Sequence, residues 1–271
     1  MPLARTTVRD ALDSALIALT AAGIDTARLD AEVLLAAAMG VDRAVLIADP
    51  GRGIEPPAAR AFQEFARRRT QREPVAYILG RRGFRRLELD VDRRVLIPRP
   101  ETEHVVEAAL ELPRGARVVD VGTGSGAIAL ALADERPDLR VVATDTSAGA
   151  LAVARANAAR LGLDVEFLEG DLLEPVSGPI DAVVANPPYI ESGTDLAPEI
   201  ARYEPGMALF GGADGLDLYR RLAPAADAAF VAFEVAGWLA EPVSELLAAE
   251  GFATTVVKDL AGIDRVVVGR R

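Results

Sequence analysis

Asn186, Pro187, Pro188 and Tyr189 are the residues whose types and spacing imply chemistry most directly. They follow an apolar run, Ile180-Asp181-Ala182-Val183-Val184-Ala185, that reads as a buried strand. Two prolines directly after a strand stop its hydrogen-bond ladder and fix the backbone. The Asn186 side-chain oxygen and a backbone carbonyl of the motif can accept both N–H bonds of a planar NH2 group, while the Tyr189 ring packs on its flat face. A planar NH2 is a poor nucleophile because its lone pair is conjugated, and gripping both hydrogens aims that lone pair at an electrophile. The tetrapeptide therefore points to alkyl transfer onto an amide or aminopurine nitrogen. A plain turn after a strand would use the same two prolines, so the reading requires a second site.

That site is Val118-Val119-Asp120-Val121-Gly122-Thr123-Gly124-Ser125-Gly126, an apolar strand running into a glycine-rich turn. The helix-forming stretch Ala127 to Ala133 follows. Gly122, Gly124 and Gly126 allow a ligand to approach the backbone closely, with Thr123 and Ser125 between them. The third glycine comes one residue early for the dinucleotide fingerprint. Asp120 suits a ligand with a positive amino-acid end better than a pyrophosphate. A second strand, Arg140 to Asp145, ends in a carboxylate 19 residues after Gly126 (145 − 126), where it can reach ribose hydroxyls. After a helix near residues 148–161 and a strand near 165–168, Asp171 and Leu172 could read an adenine amine and pack on its ring. Taken singly, Asp145 and Asp171 also read as loop or cap residues. Three strand ends in order before Asn186 make them one site.

The elements that must position these groups follow from periodicity. Residues 1–72 read as a small helical bundle. Thr7 caps a helix with Val8, Leu12, Ala15, Leu16 and Leu19 on one stripe, Gly23 stops it, a second helix runs near 28–39 to Gly40, and Pro56-Pro57 open a third. Residues 73–95 alternate apolar and polar and suggest a β-hairpin linker. Residues 96–271 alternate strands and helices, which predicts an α/β fold with a parallel, doubly wound, Rossmann-like sheet and its ligand at the C-terminal strand ends. The last two strands, near 254–258 and 265–268, predict an antiparallel hairpin at the sheet edge. The stretch from Tyr189 to Asp214 is long for a loop and is expected to fold over the substrate.

Composition narrows the function classes. The 271 residues contain no cysteine, which excludes disulfides, thiolate catalysis and cysteine metal sites, and the single His104 excludes a multi-histidine metal centre; no metal is expected. A net charge of −11 argues against sequence-independent binding to nucleic-acid phosphates. From Arg60 to Arg99, 12 Arg against 5 acidic residues leave 12 − 5 = +7, either a solvated face or a strip that docks an acidic partner. No window reads as a membrane span and Met1 to Arg5 carry no leader signal, so a soluble cytoplasmic enzyme is expected, and nothing demands more than a monomer.

With these residues in view, the chain resembles the class I S-adenosylmethionine-dependent methyltransferases, and more closely the PrmC (HemK) family, which methylates the GGQ glutamine of peptide chain release factors. Matching stretches run through almost the whole sequence: Asp30-Ala31-Glu32, Arg72-Glu73-Pro74, Tyr77-Ile78-Leu79-Gly80, Leu96-Ile97-Pro98-Arg99-Pro100-Glu101-Thr102-Glu103, Asp120 to Gly126, Asn186 to Tyr189, Glu204-Pro205, Ala208 to Gly212, Asp214 to Leu216 and Asp259 to Gly262 with Asp264-Arg265. The glycine turn alone indicates only a class I methyltransferase, and Asn-Pro-Pro-Tyr is shared with adenine-N6 DNA methyltransferases. The segment from Ile97 to Glu103 is the more specific. In one departure Gly83 precedes Phe84, where the family usually has an acidic residue, and Phe84 remains available as an apolar wall.

The resemblance implies S-adenosylmethionine as cofactor, held by Asp120, Gly122, Thr123, Gly124, Ser125, Gly126, Asp145, Asp171, Leu172 and Asn186. It implies N5-methylation of a release-factor glutamine gripped by Asn186, Pro187, Pro188 and Tyr189, with the helical bundle 1–72 docking the class 1 release factor. Transfer is expected to be direct and in line, relying on alignment and exclusion of water. No strong base is required, so His104 is expected to be structural, while Arg99 and Glu101 shape the cofactor pocket or, for Glu101, start a helix. Rival readings are an adenine-N6 nucleic-acid methyltransferase, a glutamine methyltransferase acting on a ribosomal protein, and a non-catalytic module that only docks a partner. No membrane and no direct nucleic-acid contact is expected.

Overall fold

The computed structural model describes residues 6–271; Met1 to Arg5, and the expectation concerning a leader there, lie outside the described residues. The chain divides into two compact units. One is the chain up to Gly80 with Ala197–Tyr203, and the other is Arg81–Leu196 with Glu204–Arg271.

The first unit is helical: α1 (Val8–Ala21), α2 (Ala27–Met39), α3 (Arg43–Ala48), α4 (Pro56–Thr70) and α5 (Val75–Leu79), joined by a short helix from far downstream, Pro198–Tyr203. On α1, Val8, Leu12, Ala15 and Leu19 are buried, the spacing of one helical stripe, against Leu34 and Leu35 of α2 and Phe62 of α4. Gly40 ends α2 at φ 63°, a conformation that costs glycine nothing. The divide falls at Gly80 rather than near residue 72. Val75–Leu79 is a turn of helix, closed by Gly80 at φ 73°, and Ile78 packs in the helical core. Neither α3 nor α5 is long enough to show a 3.6-residue period, so neither was foreseen.

Inside this unit a buried ion network joins segments distant in sequence. Arg69, 6% exposed, donates to Asp30 at 2.7 Å and to Glu199 at 3.0 Å, and Arg72 donates to the other Glu199 oxygen at 2.7 Å. The Tyr203 hydroxyl donates to the Gln71 carbonyl at 2.8 Å.

The second unit opens with an antiparallel hairpin, β1 (Arg81–Phe84) and β2 (Leu87–Asp90), shorter than the 73–95 expected. Next come α6 (Glu103–Ala109), β3 (Arg117–Val121), α7 (Ala127–Glu135), β4 (Arg140–Asp145), α8 (Ala148–Leu161), β5 (Glu166–Glu169) and β6 (Ala182–Ala185). The Pro198–Tyr203 helix is α9 in chain order. After it come α10 (Asp217–Ala225), β7 (Phe230–Glu234), α11 (Ala240–Ala249), β8 (Ala253–Lys258) and β9 (Asp264–Arg270). The seven-stranded sheet has the order β5-β4-β3-β6-β7-β9-β8, with β9 antiparallel to both neighbours and the other pairings parallel. The terminal hairpin therefore closes the sheet edge as expected.

Strand alternation sorts side chains to two cores. Val118, Val141, Val184 and Ala232 pack with α6 and α7, whereas Val119, Val183, Val231 and Phe233 pack with α10 and α11. Phe84 is 1% exposed in the first of these cores and does not form a ligand wall, so the use expected for it is corrected to packing. The chain leaves β3 in one direction for β4 and β5 and in the other for β6 and β7. This reversal opens a crevice beyond the C-terminal ends of β3 and β6, where ligands of doubly wound sheets bind.

Several arginines of the 60–99 stretch are paired with carboxylates. Arg67 pairs with Glu64, Arg68 with Glu73, Arg81 with Glu88, Arg85 with Glu107 and Glu135, Arg94 with Asp92, and Arg99 with Glu204.

Candidate active site

Val121 and Ala185 lie opposite each other at the ends of β3 and β6, so the glycine turn and Asn186 emerge side by side. Gly122, Gly124 and Gly126 take φ values of 72°, 57° and 86°, which a β-carbon would oppose. At Gly126 a β-carbon would also come within 2.9 Å of Leu130. Above Gly122 and Gly124 the space is open. The turn is braced at several points. Gly122 and Thr123 donate their amides to the Thr144 carbonyl at 2.9 and 3.0 Å, and fully buried Asn157 of α8 donates to the Ser125 carbonyl at 3.0 Å. Asn157 also exchanges two hydrogen bonds with the backbone of Asp90, fastening the hairpin to the same helix.

A cavity of about 440 Å³ opens over this turn. It is bordered by Gly122, Thr123, Gly124 and Ser125, by Asp145, by Asp171 and Leu172, and by Asn186, Pro187 and Pro188, so most of the residues singled out from sequence converge on one space. Asp145 accepts the Gly124 amide at 2.9 Å with one carboxylate oxygen and the Ser147 amide at 2.8 Å with the other. Asp171 pairs with Arg221 of α10. Leu172 holds φ 50°, rare for a non-glycine residue, with its carbonyl accepting the Thr144 hydroxyl at 2.8 Å.

Three expected site residues do not border the cavity: Asp120, Gly126 and Tyr189. Gly126 starts α7 behind the turn. Asp120 shares the face of β3 with Val118 and is completely buried under α7. There its Oδ2 accepts the Thr123 hydroxyl at 2.6 Å and the Ala129 amide at 3.1 Å, while Oδ1 has no partner among the described residues. Tyr189 is half-buried, with its ring against the α10–α11 core; burial and the Glu234 charge push its phenol up to about 12, so it stays neutral.

Sequence reasoning missed other residues that border the cavity: Thr102, Arg94, Met207, Leu218 and Arg221. Thr102 lay inside the segment from Ile97 to Glu103, but nothing local marked it out, and Arg221 gave no signal on its helix. Arg99 does border the cavity, donating to Glu204 at 2.5 Å and to the Ile97 carbonyl at 2.8 Å. Glu101 does not border it, and its carbonyl receives His104 Nδ1 at 2.9 Å, which gives His104 a local structural contact. The loop after Tyr189 is pinned at both ends. Ile190 donates to the Leu209 carbonyl at 2.9 Å and Gly211 to the Ile190 carbonyl at 2.8 Å, and the returning limb brings Pro205, Met207 and Ala208 to the cavity.

Two buried carboxyls near the site are perturbed alike. Burial raises Asp120 from an ordinary 3.8 to about 7, and burial raises Glu234 from 4.5 to about 7. The unfolded chain releases these protons near the ordinary values, whereas the folded protein retains them until about 7. Their stabilising contribution is therefore complete below the ordinary values and lost as pH rises through 7. Thermal melting should show lower stability at about pH 8 than at about pH 6, by on the order of 1–3 kcal/mol. Asp120→Asn should flatten the slope; an unchanged slope would mean that Asp120 titrates normally.

Residues 10–80 match the family model described as PrmC N-terminal domain, and residues 98–202 match the one described as methyltransferase small domain. The chain is 42% identical to a release factor glutamine methyltransferase of Geobacter sulfurreducens over 97% of this chain and 96% of that protein. It is 43% identical to one of Koribacter versatilis over 98% and 99%. Among solved structures, a methyltransferase from Pyrococcus furiosus is similar with a TM-score of 0.52 at 18% identity, covering 68% of this chain and 88% of that one. The hMettl16 catalytic domain in complex with MAT2A 3'UTR hairpin 1 is similar with a TM-score of 0.55 at 17% identity, covering 81% and 83%. Both structures share the fold.

Proposed function

The chain belongs to the release factor glutamine methyltransferase family, and from that premise we propose that it methylates N5 of the GGQ glutamine of a class 1 peptide chain release factor. One observation carries the reading: Asn186, Pro187 and Pro188 border the same cavity as the glycine turn, so an amide held by the first can meet a cofactor held by the second.

The residues present fit S-adenosylmethionine. The cavity has the size of a small-molecule site, open space lies over Gly122 and Gly124, and a carboxylate stands at the end of β4. Asp145 and Asp171 would take its hydroxyl and amine groups and Leu172 its ring. Asp120, beneath the turn, would hold Thr123 in place. When bound, the cofactor supplies an electrophilic methyl group on a sulfonium. Asn186 Oδ1 and the Pro187 carbonyl accept the two amide hydrogens of the glutamine and fix its lone-pair direction, and Tyr189 backs the tetrapeptide as a neutral ring. The proton passes to solvent only as the nitrogen gains its methyl and its N–H becomes strongly acidic, so no side chain has to remove it beforehand. Alignment and exclusion of water then lower the barrier. The helical unit is the part we assign to gripping the release factor. We place the enzyme in the cytoplasm, where its substrate acts, and take it to work as a monomer; among the described residues no helix is long and apolar enough to cross a membrane.

The test is incubation with methyl-labelled S-adenosylmethionine and a bacterial release factor, its GGQ Gln→Ala variant, a ribosomal-protein preparation or duplex DNA, read by mass spectrometry. One methyl on the glutamine of the unaltered factor supports the reading, whereas label on DNA adenine or on a ribosomal protein alone would replace it. Asp145→Ala should weaken cofactor binding by about 1–3 kcal/mol, the scale of a lost hydrogen bond to a charged group. Calorimetry returning the wild-type affinity would remove Asp145 from the site.

A further inference from the structure

An asparagine can serve as an acceptor only if its amide is turned the right way round. The two ends have nearly the same shape, and only their hydrogen bonds tell them apart. Asn186 Nδ2 donates to the Thr102 Oγ1 at 3.1 Å. A hydroxyl has a single hydrogen. Thr102 also acts on the carboxyl of Glu234 as a donor, an influence that favours the ionised form. With its hydrogen turned to an ionised Glu234, the Thr102 oxygen offers Asn186 lone pairs and no proton. Glu234 ends β7, on the strand next to the one that leads into Asn186. It is 1% exposed, and its Oε2 has no partner among the described residues. Its strand position is held by the Tyr219 hydroxyl, which donates to its backbone carbonyl at 2.6 Å.

We propose that Thr102 and Glu234 are positioning residues that decide which end of the Asn186 amide meets the substrate: Glu234 takes the Thr102 hydrogen, Thr102 takes Asn186 Nδ2, and Oδ1 is left for the reacting NH2. The inference rests on the function proposed above and adds a basis for substrate choice. An oxygen fixed at that place accepts from the NH2 of glutamine and repels the carboxylate of glutamate. Its force depends on Glu234 being ionised, since a protonated carboxyl can itself donate to Thr102 and release the hydroxyl hydrogen toward Asn186. The groups that act on Glu234 are Glu101, which raises its pKa, and Arg265 and Arg99, which lower it; its charge is also felt by the phenols of Tyr189 and Tyr219.

The experiment uses the full chain as wild type, Thr102→Val, Thr102→Ser and Glu234→Gln. It reads methyl transfer to the release factor, cofactor affinity by calorimetry, and competition by peptides carrying GGQ or GGE. Thr102→Val should lower kcat about tenfold, the loss expected for one aligned hydrogen bond, and leave cofactor affinity within about twofold. Thr102→Ser should restore most of the rate. Thr102→Val and Glu234→Gln should narrow the preference for GGQ over GGE, because the freed amide can turn to donate to the carboxylate. The wild-type rate should rise with pH through about 7, and Glu234→Gln should lose that rise. A wild-type rate in Thr102→Val, a Thr102→Ser variant as slow as Thr102→Val, or an unchanged GGQ preference in both would overturn the relay. The cofactor affinities report whether each variant is folded. If the wild type does not methylate the factor at all, the function proposed above fails and the inference with it; if it does and the variants match it, only the inference fails.

Discussion

Asn186→Ala should lower the rate of methyl transfer by roughly 10²-fold or more, the cost of removing one preorganised polar contact at a reacting group. The substitution deletes the oxygen proposed to grip the substrate amide and frees the Thr102 oxygen from its Asn186 contact. It leaves Asp145, the glycine turn and Leu172 untouched, so S-adenosylmethionine affinity should stay within a few-fold of wild type. The loss should therefore appear in kcat with little change in cofactor binding, as single-turnover and calorimetric measurements would show. Turnover near the wild-type level would sink the acceptor role. Asn186→Asp provides a sharper comparison. It restores an oxygen but offers no N–H to Thr102 and sets a second carboxylate near Glu234, so it should be slow as well.

The other large effect concerns stability. Arg69→Ala should destabilise the helical unit by about 3–5 kcal/mol, because it strands a carboxylate that was buried with its partner. Asp30 is 8% exposed, and Arg69 is the residue that faces it, at 2.7 Å. Glu199 would keep Arg72, so the penalty comes mainly from Asp30. Urea denaturation of the two variants Arg69→Ala and Arg69→Ala/Asp30→Ala should show the double change recovering part of the loss. A single change costing under about 1 kcal/mol would mean that water reaches Asp30 freely.

What could be read in the sequence was what depends on neighbours along the chain. The turn after β3 and the prolines after β6 announce themselves locally, and both sit where strand ends were expected. The sheet, its helices and its terminal hairpin follow from alternating periods of two and 3.6. Asp120 was read as a contact residue, although alternation along β3 puts it on the face of Val118, beneath α7, and that signal was available. Asn157 could have been noticed in the same way, as a polar residue on the buried stripe of α8 with Ala150 and Ala154. Thr102 and Glu234 could not. Each looks ordinary in its own segment, and only the pairing of β6 with β7 and the packing of the Ile97 to Glu103 segment bring them to Asn186. The partner of Arg69 and Arg72, 127 to 130 residues away, was equally invisible.

That last separation sets a timetable for the newborn chain. A ribosome adds about 5–20 residues per second. The arginines of α4 and its C-terminal turn therefore wait roughly 6–26 s for Glu199 to be made. During that interval residues 6–80 can collapse around Leu34, Leu35 and Phe62, yet they hold Arg69 without one of its two carboxylates and Arg72 without its own. The amino-terminal unit is thus finished only after the glycine turn and Asn186 have been made. A fragment ending at Gly80 is the unfinished intermediate rather than the finished domain.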